Sequence, residues 1–468
     1  MPPSVLLLEF NELTPRLMDQ FIDRQLLPNF RRFKDESRVF VTDARERQEH
    51  LEPWIQWVTV HCGLSYNEHG VFHLDDAEKL REPCLWDLVS AAGKTVWVCG
   101  SMNVRYQRPI HGWVLPDPWA SGEACPAELN SFFHFVRSQV QEHSNERAPL
   151  AIGAVLRFLS FLATHGLTAA TVSAVAKQLL AERRSDCRWK RATLLDRMQW
   201  DLFRHHFRKV RPAFSTFFLN STAHFQHCFW RNMEPEQFRI RPTDAEQQIH
   251  RDAIQFGYQE MDRIVGQALE LAGDDTVVML ATALSQQPYL KMEDAGGKQL
   301  YRPESLHAFP GLIGLSGVTD VAPVMAEQFY IYHDGEASAV KSQELLQQLR
   351  CDGNPVFVAV EREGARLLTG CGIFHAIPDD ATIDLPGGSA LRFFDAFYPI
   401  KESLKSGMHH PDGMLWVRLP DRRHSQEQGK VPLTAVAPTI LQVLGLPVPA
   451  YMRAEPLALA ESVQPAVS

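Results

Sequence analysis

Five short runs of consecutive apolar residues recur along the chain. They are SVLLLEF (4–10), KTVWVCGS (94–101), FSTFFLNS (214–221), TVVMLATAL (276–284) and GMLWVRL (413–419). Runs this short and this uniformly apolar are typical of strands buried on both faces of a parallel sheet. Stretches with helical spacing alternate with them, and the chain PRLMDQFIDRQL is the first. The alternation predicts an α/β fold with a doubly wound, mostly parallel sheet.

Two segments interrupt this rhythm. Residues 118–207 contain long helical patterns such as WKRATLLDRMQWDLFRHHFRKV, which predict a helical insertion, or cap. Residues 324–400 contain FYIYHDG, NPVFVAVEREG and ARLLTGCGIF, which predict short strands with hairpin turns, and hence a small β-rich insertion. We expect residues 1–453 to form the α/β domain that carries both insertions. The Ala/Val/Pro-rich residues 454–468 are predicted to be a flexible tail.

Composition narrows the class of partner. The 468 residues carry a formal net charge of −9, which argues against a nucleic-acid partner because phosphate binding needs a basic face. The most apolar long segment, Pro149–Leu167, is interrupted by Arg157 and His165, so no membrane span is expected. The segment could form a surface between copies, and a homo-oligomer is left open. The eight scattered cysteines form no CxxC pair and the start of the chain lacks a signal-peptide pattern, so a cytoplasmic location is expected.

Polar residues follow each predicted strand. In a sheet of this type, ligands bind outside the carboxyl ends of the strands, so these residues are candidates for a site. In chain order the candidates are Glu9, Asn11 and Glu12; Ser101, Met102 and Asn103; Asn220, Thr222, His224 and His227; Ser285, Gln286 and Gln287; and, before the last strand, His409, His410 and Asp412.

Four stretches carry a resemblance to a known family. They are LLLEFNELTPRLMDQFIDRQLLPNFRRF, WVTVHCGLSYNEHGVF, FFLNSTAHFQHCFW, and SGMHHPDGMLWVRLP with VPLTAVAPTILQVLGLPVPAYM. Together they resemble the alkaline phosphatase superfamily, on its type I phosphodiesterase and nucleotide pyrophosphatase side. The resemblance implies an enzyme that acts on phosphate or sulfate esters. It also implies two metal ions, which clamp the transferred group between two cations roughly 4 Å apart.

The sequence departs from that family at the residues that matter most. Glu9 stands at the first aspartate position, and no hydroxyl or thiol stands at Leu51-Glu52-Pro53, where the nucleophile is expected. The Asp-x-x-x-His motif aligns with Ala223 and His227. Gln286-Gln287 aligns with an Asp-His pair, and the last histidine aligns with His409 or His410.

These losses argue against an ordinary two-metal site, because too few anionic ligands remain to hold two dications. We therefore expect a divergent member with a degenerate, metal-poor site. A single divalent metal is left open, with Glu9, His227 and His410 as candidate ligands. His224 and His227, three residues apart, would share one face of a helix and could act with Glu9 on one ion.

The predicted roles follow from these alignments. Glu9, His224 and His227 are the candidate catalytic residues, and Asn11, Asn220, Gln286, Gln287, His409 and His410 are expected to bind a small polar or anionic substrate. Two alternatives stay open. The cleft could belong to an inactive pseudoenzyme or binding protein whose polar residues satisfy one another. It could also be an ordinary metal-dependent phosphodiesterase or phosphatase, with further ligands such as Asp43, Asp75, Asp76 or Asp412 close to Glu9.

Overall fold

The computed structural model describes residues 3–120, 122–145, 152–324, 326–400 and 404–459. The helices are α1 Pro15–Asp23, α2 Pro28–Asp35, α3 Pro53–Cys62, α4 Tyr66–His69, α5 Leu85–Ala91, α6 Asn130–Asn145, α7 Ile152–Thr164, α8 Ala169–Ala181, α9 Arg191–Val210, α10 Ser221–Met233, α11 Asp244–His250, α12 Ala253–Ala272, α13 Phe309–Ile313, α14 Glu336–Gln348, α15 Phe393–Ala396 and α16 Val436–Val443. The strands are β1 Ser4–Phe10, β2 Arg38–Asp43, β3 Val96–Cys99, β4 Gly112–Leu115, β5 Phe214–Leu219, β6 Thr276–Ala281, β7 Ser285–Pro288, β8 Tyr301–Pro303, β9 Val318–Pro323, β10 Gln328–His333, β11 Arg350–Cys351, β12 Asn354–Pro355, β13 Val360–Glu363, β14 Arg366–Gly370, β15 Thr382–Asp384, β16 Ala390–Arg392, β17 Phe397–Pro399, β18 Gly407–His410, β19 Asp412–Arg418 and β20 Ser425–Pro432.

The main sheet has eight strands in the order β20-β2-β19-β6-β1-β5-β3-β4. β1 is central and pairs in parallel with both β5 and β6. β19 is antiparallel to β2 and to β6, so it alone reverses the common direction of this sheet. The predicted fold class, an α/β fold with a mostly parallel sheet, is confirmed by this topology.

Each face of the sheet is covered by helices because the strands are apolar on both sides. Leu6, Leu8 and Phe10 of β1 point into a core that α1, α2, α9, α10 and α12 cover. Val5 and Leu7 point into a second core, covered by α3, α5 and α16. This alternation has period two, so Glu9 lies on the same side of the sheet as Val5 and Leu7.

Four helices, α6 to α9, lie between β4 and β5, in and around the segment predicted as the helical insertion. Its last helix, α9, packs onto the sheet through Trp200, Leu202 and Phe203, which are buried in the core. None of the helices in the described ranges is both long enough and apolar enough to cross a bilayer.

The β-rich insertion has two four-stranded sheets, a helix (α14) and a hydrophobic core of its own. It begins earlier than the predicted residue 324, because β8 (Tyr301–Pro303) pairs with β17 (Phe397–Pro399). β7 and β18 pair antiparallel and connect the insertion to the main domain; we call this pair of strands the neck. On the far side, Asp75 of the main domain accepts hydrogen bonds from Tyr330 (2.6 Å) and Arg366 (2.9 Å) of the insertion.

The chain is packed through Leu459, and the remainder of the predicted tail lies outside the described residues. The Leu457 amide donates a hydrogen bond to Thr439 Oγ1 at 2.9 Å. Leu457 and Leu459 both pack against the second core. Residues 454–459 are therefore ordered against the domain, where the sequence predicted a flexible tail.

His206 on α9 is fully buried, and its contribution to the free energy of unfolding should depend on pH. Its ring lies 4.1 Å from that of Trp113, and neither ring nitrogen has a hydrogen-bond partner in the structure. Burial, with His205, His165 and Lys209 nearby, lowers its pKa from 6.5 to about 3. A histidine with a depressed pKa is neutral in the folded state, so stability is lost once the pH falls below its unfolded pKa.

We expect the wild-type free energy of unfolding to fall by about 2 kcal/mol between pH 8 and pH 5 relative to His206→Phe, because phenylalanine does not titrate. Urea titrations of both proteins at each pH measure this difference. An offset between the two proteins that is the same at both pH values would contradict the expectation.

Candidate active site

The ends of β1, β5 and β6 meet at one edge of the sheet, and the chain turns sharply there. Glu12, two residues after β1, has a φ of +60°, and Ala283, two residues after β6, has a φ of +56°. Residues other than glycine rarely adopt this left-handed backbone conformation, which costs roughly 1–2 kcal/mol per residue. Such strain persists where the surroundings fix the conformation, and it is concentrated at functional sites.

The fully buried Glu12 carboxylate is the centre of the site. Asn11 Nδ2 donates to its Oε1 at 2.8 Å, and Gln286 Nε2 donates to its Oε2 at 2.5 Å. His227 Nε2 lies 3.1 Å and His409 Nε2 3.5 Å from the same Oε2. Four polar side chains from four different segments thus converge on one carboxylate.

The surroundings fix the charge state of this group at neutral pH. Burial acts to raise the pKa of Glu12, but His409, His227 and the hydrogen bonds from His227 and Gln286 outweigh it and lower the pKa to about 2. Burial lowers the pKa of His409 to about 3. At pH 7 the site therefore presents a carboxylate beside a neutral imidazole, which are the forms that ligate a cation.

The orientation of His227 also suits a cation ligand. Its Nδ1 lies 3.0 Å from the carbonyl oxygen of Gly407, which can only accept, so Nδ1 carries a proton. A neutral ring then directs the Nε2 lone pair at the Glu12 carboxylate. Two lone pairs 3.1 Å apart need a proton or a cation between them. A backbone carbonyl that fixes the tautomer in this way is a recurrent feature of metal-ligating histidines.

Glu12, His227 and His409 each offer a ligand atom, and these atoms lie within 4.8 Å of one another. Among the described residues, no other group of His, Cys, Asp or Glu side chains brings three ligand atoms this close together. Two histidines and one glutamate form a known ligand set for a single catalytic zinc ion. Gln286 Oε1 is buried beside them with no hydrogen-bond partner, so a further oxygen is available. The residues present therefore fit one divalent cation.

The neck and α10 position these side chains. On the neck, His409 of β18 is in register with Gln286 of β7. His227 lies on α10, and its carbonyl accepts from the amide and the hydroxyl of Ser406, just before β18. The His227 side chain is 26% exposed, whereas Glu12 and His409 are almost fully buried, so the site opens to solvent on the His227 side.

The side-chain amides of Asn11 and Asn220 form a chain of hydrogen bonds that ends on the Glu12 carboxylate. Asn11 Nδ2 donates to Asn220 Oδ1 at 2.7 Å as well as to Glu12. Trp57 Nε1 of α3 donates to Asn11 Oδ1 at 2.8 Å, which fixes the orientation of that amide. Asn11 and Asn220 are thus brought into the site, as the sequence predicted, and their contacts are with other side chains of the protein. A role in substrate binding stays a prediction.

A carboxyl group and two lysines lie at the rim. Glu52 Oε2 is 3.5 Å from His409 Nδ1. Burial raises the pKa of Glu52 to about 8, and Glu12 acts in the same direction against the opposing effect of Lys405 and Lys298. Burial, together with Lys298, lowers the pKa of Lys405. The rim therefore places two lysine side chains beside a carboxyl group that carries a proton at pH 7.

Glu9 is not part of this cluster in the structure. It is fully buried on the α3 side of the sheet, where Oε1 lies 2.9 Å from His61 Nε2 and Oε2 accepts from Ser101 Oγ at 2.5 Å. Ser101 Oγ is itself 2.7 Å from Thr216 Oγ1. Glu9 thus ties β1, β3, β5 and α3 together in a closed hydrogen-bond network. The predicted pairing of Glu9 with His227 is replaced by Glu12 with His227.

Three further predicted residues lie beside the cluster and do not join the Glu12 carboxylate. His224, one turn before His227, is exposed and lies 3.9 Å from Cys228 Sγ. His410 Nδ1 accepts from the Asp412 amide at 3.2 Å, on the opposite side of β18 from His409. Gln287 is exposed and donates to the His409 carbonyl at 3.2 Å. Their predicted catalytic, metal-binding and substrate-binding roles stay predictions.

The aspartates considered as further ligands for an ordinary two-metal site make their contacts elsewhere. Asp75 binds the β-rich insertion, Asp76 lies 3.0 Å from Lys79, and Asp412 lies 2.7 Å from Lys430. The side chain of Asp43 accepts from the Arg45 amide at 2.8 Å.

Gly407 allows the Gln286 side chain and α10 to approach β18 closely. A methyl group at this position would overlap Gln286 Oε1 and the main-chain carbonyl of Gln226. We expect Gly407→Ala to lower the free energy of unfolding by about 1–3 kcal/mol, because the backbone carbonyl cannot move aside without displacing α10. Urea titration measures the loss. Gly311→Ala is the control, since nothing lies within 4 Å of its added carbon; equal losses at both positions would contradict this account.

Searches of protein-family models and of curated proteins found no match. Among solved structures, the chain is similar to phosphonoacetate hydrolase from Sinorhizobium meliloti 1021 in complex with phosphonoacetate, with a TM-score of 0.41, 11% identity, and coverage of 95% of this chain and 96% of the other. It is similar to murine ectonucleotide pyrophosphatase/phosphodiesterase 5, with a TM-score of 0.43, 10% identity, and coverage of 95% and 96%. It is also similar to alkaline phosphatase PafA, with a TM-score of 0.45, 11% identity, and coverage of 98% and 99%.

These matches extend over nearly the whole chain. Their TM-scores of 0.45 or less indicate only a general similarity of shape. The fold assignment therefore depends on the strand order of this chain, and the roles of its residues on their own contacts.

Proposed function

We propose that the chain is an enzyme acting on a phosphate ester or a related anionic substrate, with one divalent cation held by Glu12, His227 and His409. The observation that carries this proposal is the convergence of three ligand atoms within 4.8 Å of one another at the carboxyl ends of the central strands. That is the place where ligands bind in sheets of this type. The sequence resemblance to phosphoesterases supports the choice of substrate class.

A bound divalent cation would supply Lewis-acid stabilisation of negative charge on a phosphoryl or sulfuryl oxygen. The protein's own groups hold the ligand side chains in position. Asn11 and Gln286 hold the Glu12 carboxylate in place through hydrogen bonds of 2.8 and 2.5 Å. The main-chain carbonyl of Gly407 holds the proton on His227 Nδ1 and leaves Nε2 basic.

The rim residues support binding of an anion. Lys405 and Lys298 both act electrostatically on Glu52, and Lys405 acts on it most strongly among the neighbouring charges. A substrate with negative oxygens would find these two lysine side chains beside a carboxyl group that is protonated at neutral pH. No hydroxyl or thiol occurs at 51–53, so we infer that water, rather than a side chain, attacks the substrate.

A specific observation also supports a second candidate, a binding protein without turnover. If His227 is protonated, its Nε2 donates to Glu12, and the carboxylate is then satisfied by Asn11, Gln286 and His227 together. Such a network needs no cation and would stabilise the strand ends by itself. The two candidates differ in whether a cation binds and whether an ester is turned over.

Cation binding is tested first. We expect isothermal titration of the full chain, after treatment with EDTA and dialysis, to show one tight site per chain for Mn²⁺ or Zn²⁺. Glu12→Gln and His409→Gln should each weaken binding about 100-fold or more, since each removes a ligand. Thermal unfolding of each variant would show that the fold is retained.

Glu9→Gln is the matched control, because Glu9 is an equally buried glutamate three residues earlier. Under the proposal it leaves the dissociation constant within about threefold of wild type, since its contacts are with His61 and Ser101. Loss of the cation in Glu9→Gln and its retention in Glu12→Gln would restore the assignment made from sequence. Two tight cations per chain would support an ordinary two-metal enzyme instead.

Turnover is tested separately, with aryl phosphate monoesters, phosphodiesters and sulfate esters in the presence of Mn²⁺. We expect hydrolysis of at least one class, its loss on addition of EDTA, and a fall of about 10³-fold or more in kcat/KM for Glu12→Gln. Glu270→Gln, an exposed glutamate on α12, should match wild type. Tight binding of a phosphate ester without turnover of any class would favour the binding protein.

A further inference from the structure

The helical insertion exposes an unusual amount of apolar surface. Eight large hydrophobic side chains in the described ranges are at least 42% exposed, and five of them lie on the two consecutive helices α7 and α8. These five are Leu156, Leu159, Val172, Leu179 and Leu180. No other helix pair in the described chain concentrates exposed aliphatic residues in this way, and scattered single residues would need no explanation.

The exposed residues have helical spacing, so they form stripes. On α7, Leu156, Leu159 and Ala163 point outward, whereas Phe158 and Phe161 are buried in the core. On α8, Val172, Ala176 and Leu179 follow one another at intervals of four and three residues, and all three are exposed. Both helices are therefore amphipathic with an apolar side turned to solvent. We call these two apolar stripes the α7–α8 face.

The charge on α7 and α8 themselves has a single sign. The 35 residues from 147 to 181 contain no aspartate or glutamate, although the whole chain has a net charge of −9. Arg157 and Lys177 are exposed beside the apolar stripes. Just beyond α8, Arg183 and Arg184 are exposed together with Asp186, while Glu182 is paired with Arg191. A partner that covers the α7–α8 face must therefore be apolar and accept positive charge.

Further positive charge surrounds the turn between the two helices. Gly166 in that turn borders a surface cavity of about 410 Å³ that Arg204, His205, Arg208 and Lys209 of α9 line. Asp201, also at the cavity, accepts from the backbone amide and the hydroxyl of Thr168 at 2.9 and 2.8 Å and lies 3.3 Å from Arg204. Arg208 and Lys209 thus offer the cavity cationic groups of the kind that hold a phosphate.

A second copy of the chain is a poor fit to this combination. In a symmetric dimer the same patch meets itself, so Arg157 and Lys177 would be opposed by like charges with no acidic residue of the patch to offset them. We propose that the α7–α8 face docks on a membrane surface rich in anionic phospholipids. The leucines and valine enter the interfacial region, and the basic residues contact phosphate headgroups.

This docking is peripheral. α7 and α8 have 13 residues each, about 20 Å of helix, which is too short to cross the hydrocarbon core of about 30 Å. The inference is independent of the proposed catalytic function, because none of its residues belongs to the Glu12 cluster.

The test is co-sedimentation of the full chain with vesicles of phosphatidylcholine alone and of phosphatidylcholine with about one third phosphatidylglycerol. We expect binding to the anionic vesicles only, and weaker binding as salt is raised, because the basic residues contribute electrostatically. Leu179→Asp and Leu180→Asp should each reduce the partition coefficient at least tenfold. Arg183→Glu combined with Arg184→Glu should reduce it most at low salt.

Matched controls lie elsewhere on the surface. Leu312→Asp changes an exposed leucine of the β-rich insertion, and Arg251→Glu changes an exposed arginine outside the helical insertion; both should bind like wild type. Absence of vesicle binding would overturn the proposal, as would binding of inorganic phosphate at the cavity without vesicle binding. It would equally be overturned by a dimer, seen in light scattering, that Leu179→Asp dissociates while no vesicles bind.

Discussion

The arrangement at the sheet edge depends on one buried carboxylate, that of Glu12. A carboxylate without water is very costly unless charge and hydrogen bonds compensate it. Here two amides donate to it, and two imidazoles face it across a proton or a cation; these groups come from α10, β18, β7 and the end of β1. The requirement to satisfy this one group therefore fixes where four segments meet. It also concentrates ligand atoms at the point where ligands of such sheets bind.

The central strands could be read from the sequence because each is a continuous apolar run. β1, β3, β5, β6 and β19 all lie within or next to their predicted segments. β2 and β20 lie at one edge of the sheet and β4 at the other, and the pattern did not reveal them. β20, SQEQGKVP, is exposed along most of its length, so nothing in its composition indicates a strand. The reversed direction of β19 depends on its tertiary pairing, and no local pattern in the sequence indicates it.

The site was predicted in part. Asn11, Asn220, Gln286, His227 and His409 were all expected near the strand ends, and the structure brings them together around Glu12. The choice between Glu9 and Glu12 depended on the turn after β1, where Glu12 takes a positive φ that no sequence pattern indicates. Period-two alternation along β1 would have placed Glu9 with Val5 and Leu7, away from the residues of α10. The same alternation along β18 separates His409 from His410.

The neck has a mechanical consequence for the site. His409 and Gln286 lie on its two paired strands, and both contact the Glu12 carboxylate, while the whole β-rich insertion is attached beyond them. A rigid rotation of the insertion would exert torque on this pair of strands and alter the distances from both side chains to Glu12. The contacts of Asp75 with Tyr330 and Arg366 oppose such a rotation at the far end. The distances from His409 and Gln286 to Glu12 therefore change together with the orientation of the β-rich insertion.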